Sequence, residues 1–261
     1  MKFCRFETNG WQSYGVVEGD RIRVIQGDLF GEHRFTEARY DIKDVRILPP
    51  TKPQSFWAVG LNYADHVAHQ IENLDAERIA RDAQTFRPWQ KGVSSIIGQD
   101  DTIILPKESD YVHYEGELVI VIGKPAKRIT PEEAPNFILG YTCGNDVSSE
   151  GSWHDDPSNW RKKTSDTFGP VGPWIETDLD PQNVEIITKV NGKETDRGST
   201  SGMTFNCYET VSRISQHVTL HPGDLILTGA PGAVEGLEPG QVVEVEIPEI
   251  GTLRNVVAAE E

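Results

Sequence analysis

The stretch from Asp110 to Gly123 constrains the fold more than any other part of the chain, because it joins an apolar strand to two carboxylates. Residues Leu118 to Ile122 are all apolar and four of the five are β-branched, a pattern typical of a strand buried in a sheet. Glu115 and Glu117 are two residues apart, so on a strand both side chains point to one face. Adjacent carboxylates repel each other and avoid apolar surroundings. The pattern therefore indicates either a divalent cation between them or a solvated strand end with two surface glutamates.

Composition limits the class of protein and the partners it can have. The chain has 261 residues, of which 37% are hydrophobic, and its formal net charge is -16. These values predict a soluble globular protein and disfavour nucleic acid and anionic membranes as partners. No apolar run approaches the ~20 residues of a membrane helix, and the first residues lack a signal-peptide core. The same acidity makes chance carboxylate pairs common.

The three cysteines indicate the compartment. Cys4, Cys143 and Cys207 are scattered and form no Cys-x-x-Cys motif. This spacing argues against a disulfide framework or a structural zinc site. It suits a reducing compartment, so the expected location is the cytoplasm.

The chain divides at a proline-rich connector, Leu48 to Pro53. Residues 1–50 are predicted to form a small N-terminal β domain, because Lys2 to Phe6 alternates like a strand and turn signals follow at Asn9-Gly10 and Glu18 to Asp20. Residues 51–261 are predicted to form the larger domain. All the candidate chemistry lies there.

Two histidines follow the first predicted strand of the larger domain. That strand runs from Phe56 to Gly60, and Asn62 resembles the N-cap of a helix that carries His66 and His69 on one face. His66 could act as a general acid or base. Zinc binding would need a third soft ligand, which the sequence does not offer, and two surface histidines are the simplest alternative. The polar residues 70–88 are predicted to be partly helical and to form a lid.

The remaining segments alternate between strands and turns. A helix is predicted to begin at Thr130, and an extended segment, 137–148, ends with a third carboxylate, Asp146. Residues 149–162 are polar and are predicted to be irregular. A hairpin with a type I′ turn is expected at Asn191-Gly192, and a short amphipathic helix is expected after Asn206. The loop that begins at Gly229 lacks the lysine of a P-loop, but its backbone N–H groups could hold a substrate carboxylate.

Five sequence blocks in a fixed order resemble the fumarylacetoacetate hydrolase family. They are Gly60–His66, Tyr114–Lys124, Gly144–Ser148, Asp166–Trp174 and Pro222–Pro231. Together they span about residues 56–257. The resemblance implies a mainly β fold with α/β elements, namely a mixed β-sandwich roll behind a small N-terminal β domain, usually assembled as a homodimer.

The resemblance also implies roles for individual residues. Glu115, Glu117 and Asp146 match the ligands of a Mg²⁺ or Mn²⁺ ion, and hard oxygen donors suit either metal. His66 matches the base that activates water, and Lys163 matches a lysine that stabilises oxyanion charge. The expected substrate-binding residues are Lys91, Thr228, Gly229 and Tyr63, with Lys91 and Thr228 at the substrate's carboxylate end.

The chain departs from the family pattern in three places. His69 stands where hydrolytic members often have the glutamate that pairs with the lid histidine, so Glu72 or a residue from elsewhere would have to replace that partner. Glu150, Gly151 and Trp153 stand where the family commonly has Arg, Asp and Gln facing the substrate, so the distal pocket is not expected to accept a second carboxylate. The insertion from Asp75 to Arg87 is longer than in compact members.

The leading interpretation is a metal-dependent hydrolase that cleaves the C–C bond of an acylpyruvate-like 2,4-dioxo acid through a metal-stabilised enolate. A decarboxylase or isomerase of a 2-oxo acid on the same site is the first alternative, because neither reaction needs activated water. The second alternative is a degenerate relative that binds metal and a small acid without turnover.

Overall fold

A computed structural model of the chain describes residues 1–63, 84–151, 158–232 and 235–261. These residues are mainly β-structure with two short α-helices. The strands of the first half are β1 (Lys2–Thr8), β2 (Trp11–Glu18), β3 (Arg21–Gly27), β4 (His33–Asp41), β5 (Arg46–Leu48), β6 (Phe56–Gly60), β7 (Arg87–Lys91), β8 (Ile96–Ile97), β9 (Thr102–Leu105), β10 (Tyr111–His113) and β11 (Gly116–Ile122). The elements of the second half are β12 (Ile138–Asn145), β13 (Ser148–Glu150), α1 (Trp160–Thr164), β14 (Gly169–Glu176), β15 (Glu185–Val190), β16 (Lys193–Ser199), α2 (Cys207–Ser215), β17 (Leu225–Leu227), β18 (Val242–Ile247) and β19 (Gly251–Ala259).

The strands form one large sheet and two smaller ones. The large sheet has the order β4-β3-β2-β1-β14-β12-β11-β17-β6-β7, with β5 beside β1 and β8 beside β14. A second sheet has the order β16-β15-β18-β19-β9, and β10 pairs with β13 in a two-stranded ribbon. Pairs in the large sheet are mostly antiparallel, but β17 and β6 run parallel. This arrangement confirms the predicted mainly β fold.

Strand β11 lies at the centre of the large sheet, between β12 and β17. Every residue from Leu118 to Ile122 is fully buried, as the apolar run predicts. Leu118, Ile120 and Ile122 face a core shared with the second sheet and α2. Val119 and Val121 face a second core on the opposite side. Burial on both faces explains why the run is continuous rather than alternating.

The N-terminal strands continue the large sheet. Strand β1 pairs antiparallel with β14 through Lys2 opposite Glu176 and Phe3 opposite Ile175. Phe3 also enters the core that contains Val119. The predicted strands and turns of this region are confirmed, with Asn9 and Gly10 both at positive φ as a type I′ turn requires. The domain boundary at residue 50 stays a prediction.

Two predicted elements of the larger domain are confirmed and two are wrong. Asn191 and Gly192 have φ of 52° and 75° and join β15 to β16 as the predicted hairpin, and α2 begins with a full capping box at Asn206. The helix predicted at Thr130 is only a 3-10 turn over Ala134–Asn136. Residues 149–162 are predicted to be irregular, but the segment begins within β13 and ends within α1, while residues 152–157 lie outside the described part of the chain. Pairing with β10 orders β13, and contacts with buried carboxylates hold α1.

The predicted lid lies largely outside the described residues. The residues that the structure does not describe include His66, His69, Glu72 and the helix expected from Asp75 to Asp82. Asn62 exchanges hydrogen bonds with the backbone of Phe205 and donates to that of Thr228. The helix that Asn62 was predicted to cap lies outside the described residues, so this cap stays a prediction. None of the helices formed by the described residues is long and apolar enough to cross a bilayer.

Candidate active site

Three carboxylates meet where β11 begins and β12 ends. The two strands are antiparallel and pair Gly116 with Asn145, so Glu115 and Asp146 lie side by side, and the Asp146 N–H donates to the Glu115 carbonyl at 2.8 Å. Glu117 joins them from β11. One side-chain oxygen from each of the three lies within 4.8 Å of the others, and all three residues are buried. The structure therefore brings together the trio predicted from sequence.

Two buried lysines compensate part of this negative charge. The Lys163 ammonium, from α1, donates to Glu115 Oε2 at 2.8 Å and to Asp146 Oδ2 at 2.7 Å. The Lys91 ammonium, at the end of β7, donates to Asp146 Oδ1 at 2.5 Å and to the Val147 carbonyl at 3.2 Å. Burial opposes ionisation of Asp146, but the two ammonium groups outweigh it and lower the pKa of this carboxyl. Asp146 is thus held ionised by a cation on each oxygen.

Glu117 has no ammonium partner among the described residues. Its Oε2 accepts the Gly229 N–H at 2.7 Å. Gly229 has a φ of 99°, and a Cβ there would approach Asn62 to 2.9 Å, so this close N–H requires glycine. Burial and the nearby carboxylates of Asp146 and Glu115 raise the pKa of Glu117 well above its usual value. Among the described residues, the three carboxylates outnumber the two ammonium groups by one, so a further cation would favour the ionised form of Glu117.

The donor set fits a hard divalent ion. Ligands about 2.1 Å from an octahedral ion lie at most about 4.2 Å apart, and the three carboxylate oxygens all lie within 4.8 Å of one another. Carboxylate oxygens without histidine or cysteine favour Mg²⁺ or Mn²⁺ over softer metals. Glu115, Glu117 and Asp146 would hold the ion.

Two residues that sequence reasoning missed lie against Glu115. Asn145 Oδ1 accepts the Glu115 N–H at 3.0 Å. The buried imidazole of His113 places Nδ1 3.6 Å from Glu115 Oε1. The signal was present in the sequence, because His113, Glu115 and Glu117 alternate at the spacing of one strand face.

A further charged pair lies at the edge of this cluster. Lys162 on α1 donates to Glu150 Oε1 on β13, and His113 Nε2 lies 3.9 Å from the same oxygen. Contacts with His113 and Lys162 lower the pKa of Glu150 to about 2. The carboxylate of Glu150 is therefore ionised and paired.

The other predicted site residues are buried nearby or fall outside the described part of the chain. The Thr228 hydroxyl donates to the Leu118 carbonyl at 2.8 Å, and the buried Tyr63 hydroxyl makes no hydrogen bond with the described residues. The N–H of Gly229 serves Glu117 and the ammonium of Lys91 serves Asp146, so substrate binding by these residues stays a prediction. His66, His69 and Glu72 lie outside the described residues.

Comparison with known proteins identifies the family. Residues 55–258 match the family model described as fumarylacetoacetate hydrolase C-terminal, and residues 1–50 match the model described as Rv2993c-like, N-terminal. The chain therefore belongs to the fumarylacetoacetate hydrolase family, and it is an enzyme of that family.

Several relatives match most of the chain, and three of them are named for different reactions. Protein Rv2993c of Mycobacterium tuberculosis is 42% identical over 98% of this chain and 98% of its own length. The 2,4-didehydro-3-deoxy-L-rhamnonate hydrolase of a Sphingomonas species is 34% identical over 99% of this chain and 96% of its own length. A mitochondrial oxaloacetate tautomerase of Rattus norvegicus is 37% identical over 81% of this chain and 68% of its own length. A bifunctional isomerase/decarboxylase of 4-hydroxyphenylacetate degradation from Salmonella dublin is 32% identical over 93% of this chain and 56% of its own length.

Solved structures share the fold over the whole chain. A 5-carboxymethyl-2-hydroxymuconate delta-isomerase from Mycobacterium smegmatis superposes with a TM-score of 0.89 at 39% identity, covering both chains in full. A maleylpyruvate hydrolase from Sphingobium, solved with manganese(II) and pyruvate, superposes with a TM-score of 0.81 at 25% identity, again covering both chains in full. The manganese in this relative and the buried trio here both support divalent-metal binding.

Proposed function

We propose that the chain is a divalent-metal-dependent hydrolase that cleaves the C–C bond of an acylpyruvate-like 2,4-dioxo acid. The observation that carries the proposal is the buried cluster of Glu115, Glu117 and Asp146 with Lys163 against two of them. Such a cluster places a cation site and a fixed ammonium donor together out of water, where electrostatic stabilisation is strongest.

The reaction adds water across one C–C bond. The water oxygen attacks the C4 carbonyl carbon, the bond between C3 and C4 breaks, and its electron pair passes to the C2 carbonyl oxygen as an enolate. A proton then returns to C3, so the products are a carboxylic acid and pyruvate. A bound Mg²⁺ or Mn²⁺ would supply Lewis-acid polarisation of the C2 carbonyl oxygen. The chain does not distinguish between these two metals by its donor atoms.

The protein's own groups have separate tasks in this reaction. The Lys163 ammonium is rigid, because two carboxylates hold it on α1, and it would donate to oxygen as negative charge develops there. Lys91 and Gly229 keep Asp146 and Glu117 in fixed orientations. Thr228, Tyr63, Lys91 and Gly229 are proposed to bind the head of the substrate, as the family resemblance implies.

The proposed base is His66. Its partner in water activation would be Glu72 or a residue from elsewhere, because His69 occupies the position of the usual glutamate. A base must reach the attacking water directly or through one further water. Replacement of His66 by alanine should therefore abolish hydrolysis while metal binding persists.

Acetylpyruvate tests the proposal, since it carries the dioxo-acid head with the smallest distal group. Loss of its enol absorbance is followed with Mg²⁺, with Mn²⁺ and with EDTA, and pyruvate is quantified. We expect metal-dependent loss with one pyruvate per substrate, and near-complete loss of activity in Glu115→Gln. The exposed residue Glu238 gives the control Glu238→Gln, which should behave as wild type. Unchanged metal affinity and turnover in Glu115→Gln would refute the proposal.

The second candidate is a decarboxylase or isomerase of a 2-oxo acid on the same site. The absence of glutamate at position 69 favours it, because these reactions need no activated water. Relatives named as isomerases, a tautomerase and an isomerase/decarboxylase support the same reading. Product analysis separates the candidates, since released CO₂ or an isomerised acid would replace the cleaved acid and pyruvate. The family assignment favours either enzyme over a protein that only binds metal and a small acid.

We also propose a cytoplasmic homodimer. The family resemblance supports the dimer, and the three cysteines, which are all buried and unpaired, support a reducing compartment. Light scattering coupled to size-exclusion chromatography would test the assembly, and a monomeric mass would contradict it.

A further inference from the structure

Within the described part of the chain, Glu115 and Lys163 have the most exposed side chains among the ion-paired residues of the buried cluster. Among the described residues, the side chain of Glu115 is 9% exposed and that of Lys163 is 7% exposed, whereas Asp146 is 1% exposed and Lys91 is fully buried. Glu117 lies against Gly229 in the interior. A substrate held at the trio would therefore extend toward solvent past Glu115 and Lys163.

The Glu150–Lys162 pair lies on the side of Glu115 and Lys163. A single imidazole, that of His113, separates Glu150 from Glu115, because its two nitrogens lie 3.6 Å and 3.9 Å from the two carboxylates. Lys162 is the chain neighbour of Lys163 on α1. The side chains of Glu150 and Lys162 are 39% and 33% exposed. The pair is thus the first charged feature that the distal part of a substrate would meet among these residues.

The chemistry of the pair selects among distal groups. A carboxylate offers several acceptor sites and an ammonium has three donors, so both retain hydrogen-bonding capacity after they pair with each other. A hydroxyl group both donates and accepts, so it can bridge the two. A second carboxylate would be repelled by Glu150, and an alkyl group would remove water from both charges without replacing its hydrogen bonds.

We propose that the substrate carries hydroxyl groups on its distal carbons, as in an acid derived from a sugar, and that Glu150 and Lys162 recognise them. This inference rests on the proposed function for the position of the substrate head. It adds the chemical class of the tail, which the metal site does not determine.

Three six-carbon acids with the same 2-oxo-acid head test the inference by binding alone. They are 4,5,6-trihydroxy-2-oxohexanoate, 2-oxohexanoate and 2-oxohexanedioate, titrated calorimetrically into the full chain with Mn²⁺. We expect the trihydroxy acid to bind about 10-fold or more tightly than 2-oxohexanoate, since sites built for hydroxyl groups reject analogues that lack them. The dicarboxylate should bind most weakly. Equal affinities, or tightest binding of the alkyl acid or the dicarboxylate, would overturn the inference.

Variants assign the selectivity to the pair. Glu150→Gln should lower the preference for the trihydroxy acid over the alkyl acid by about 10-fold, and Glu150→Arg should shift the preference toward the dicarboxylate. Glu238→Gln is the matched control and should keep the wild-type order. Wild-type selectivity in both Glu150 variants would overturn the assignment. These binding measurements need no turnover. If acetylpyruvate were not cleaved, the proposed reaction would be wrong, but the binding affinities would still test the proposed class of substrate.

Discussion

The buried cluster and the Glu150–Lys162 pair use the same residue types in different surroundings. Lys91 and Asp146 are bonded with their side chains almost completely buried, whereas Glu150 and Lys162 are bonded at the edge, with about a third of each side chain exposed. Burial strengthens a charge interaction but makes each charge costly when its partner is lost. Exposure to water makes the edge pair weak and replaceable.

This difference separates the charged residues that the fold requires from the charged residues that can determine which substrate binds. The inner charges are coupled to one another and to any bound cation, so a change to one of them affects stability, metal binding and catalysis together. The edge pair can change its sign or its hydrogen bonds at little cost to the fold. Proteins that catalyse the same reaction on different classes of substrate are therefore expected to differ at the edge pair.

The largest effect is expected from Asp146→Asn, which removes a carboxylate that two buried ammonium groups share. Loss of one partner of a buried pair costs about 3–5 kcal/mol, so the free energy of unfolding of the metal-free protein should fall by that amount in urea titrations. The control is Glu246→Gln, whose partner Lys189 is about a third exposed, and its cost should stay within about 1 kcal/mol. If the two variants lowered the free energy of unfolding by similar amounts, the buried and the exposed ion pairs would not differ in their effect on stability.

The same variant should lose the stabilisation that metal gives to the wild type. A ligand at 100 times its Kd stabilises a fold by about 2.7 kcal/mol. Saturating Mg²⁺ or Mn²⁺ should therefore raise the Tm of the wild type, EDTA should reverse the rise, and Asp146→Asn should show neither change. If metal raised the Tm of Asp146→Asn as much as that of the wild type, Asp146 would not be a metal ligand.

Lys163→Met is expected to slow catalysis and also to destabilise the fold, because it takes an ammonium group away from two buried carboxylates. Removal of a fixed oxyanion donor typically costs about 100–1,000-fold in rate, so kcat for acetylpyruvate should fall in that range while a metal ion still binds. The exposed residue Lys124 provides the control Lys124→Met. A kcat within a few-fold of wild type would show that Lys163 only neutralises the carboxylates.

A smaller effect is expected from His113→Gln, because His113 lies beside Glu115, a proposed metal ligand, without being a proposed ligand itself. Outer contacts of this kind change metal affinity by about 10–100-fold, and we expect the lower end, since the imidazole lies slightly beyond hydrogen-bond distance of Glu115. Manganese affinity measured by electron paramagnetic resonance would show it, with the exposed His217→Gln as control. An unchanged Kd for manganese would show that His113 contributes to packing but does not affect metal binding.

The smallest signal is expected from thiol labelling, because the three buried cysteines of the folded protein should not react with a thiol reagent. Burial raises the pKa of the Cys4, Cys143 and Cys207 thiols to about 12. Since an unfolded thiol has a pKa of about 8.5, the stability contributed by these thiols is complete below that pH and is lost as the pH rises toward 12. At pH 8 the folded protein should not react with a thiol reagent, whereas the protein unfolded in urea should expose all three thiols. Labelling before unfolding would contradict the buried positions.

The sequence was sufficient for the elements that depend on local patterns. The apolar run from Leu118 to Ile122, the Asn191-Gly192 turn and the cap at Asn206 each follow from residue spacing, because strand burial, positive φ and capping bonds are short-range requirements. The trio was predicted through the family resemblance, because the spacing of Glu115 and Glu117 by itself also fits a solvated strand end. Polar segments were harder to predict, as α1 and β13 show, because their order comes from partners far away in the chain.

The sequence by itself determined the family, the central strand and the residues that could hold a metal. Only the tertiary structure decided how charge is distributed among them. It placed Lys91 and Lys163 on Asp146, left Glu117 with a backbone N–H, and set Glu150 and Lys162 beside His113 at the edge. These contacts join residues between 12 and 112 positions apart. The physical reason is that the cost of a buried charge depends on every neighbour the fold brings to it, and no local pattern specifies those neighbours.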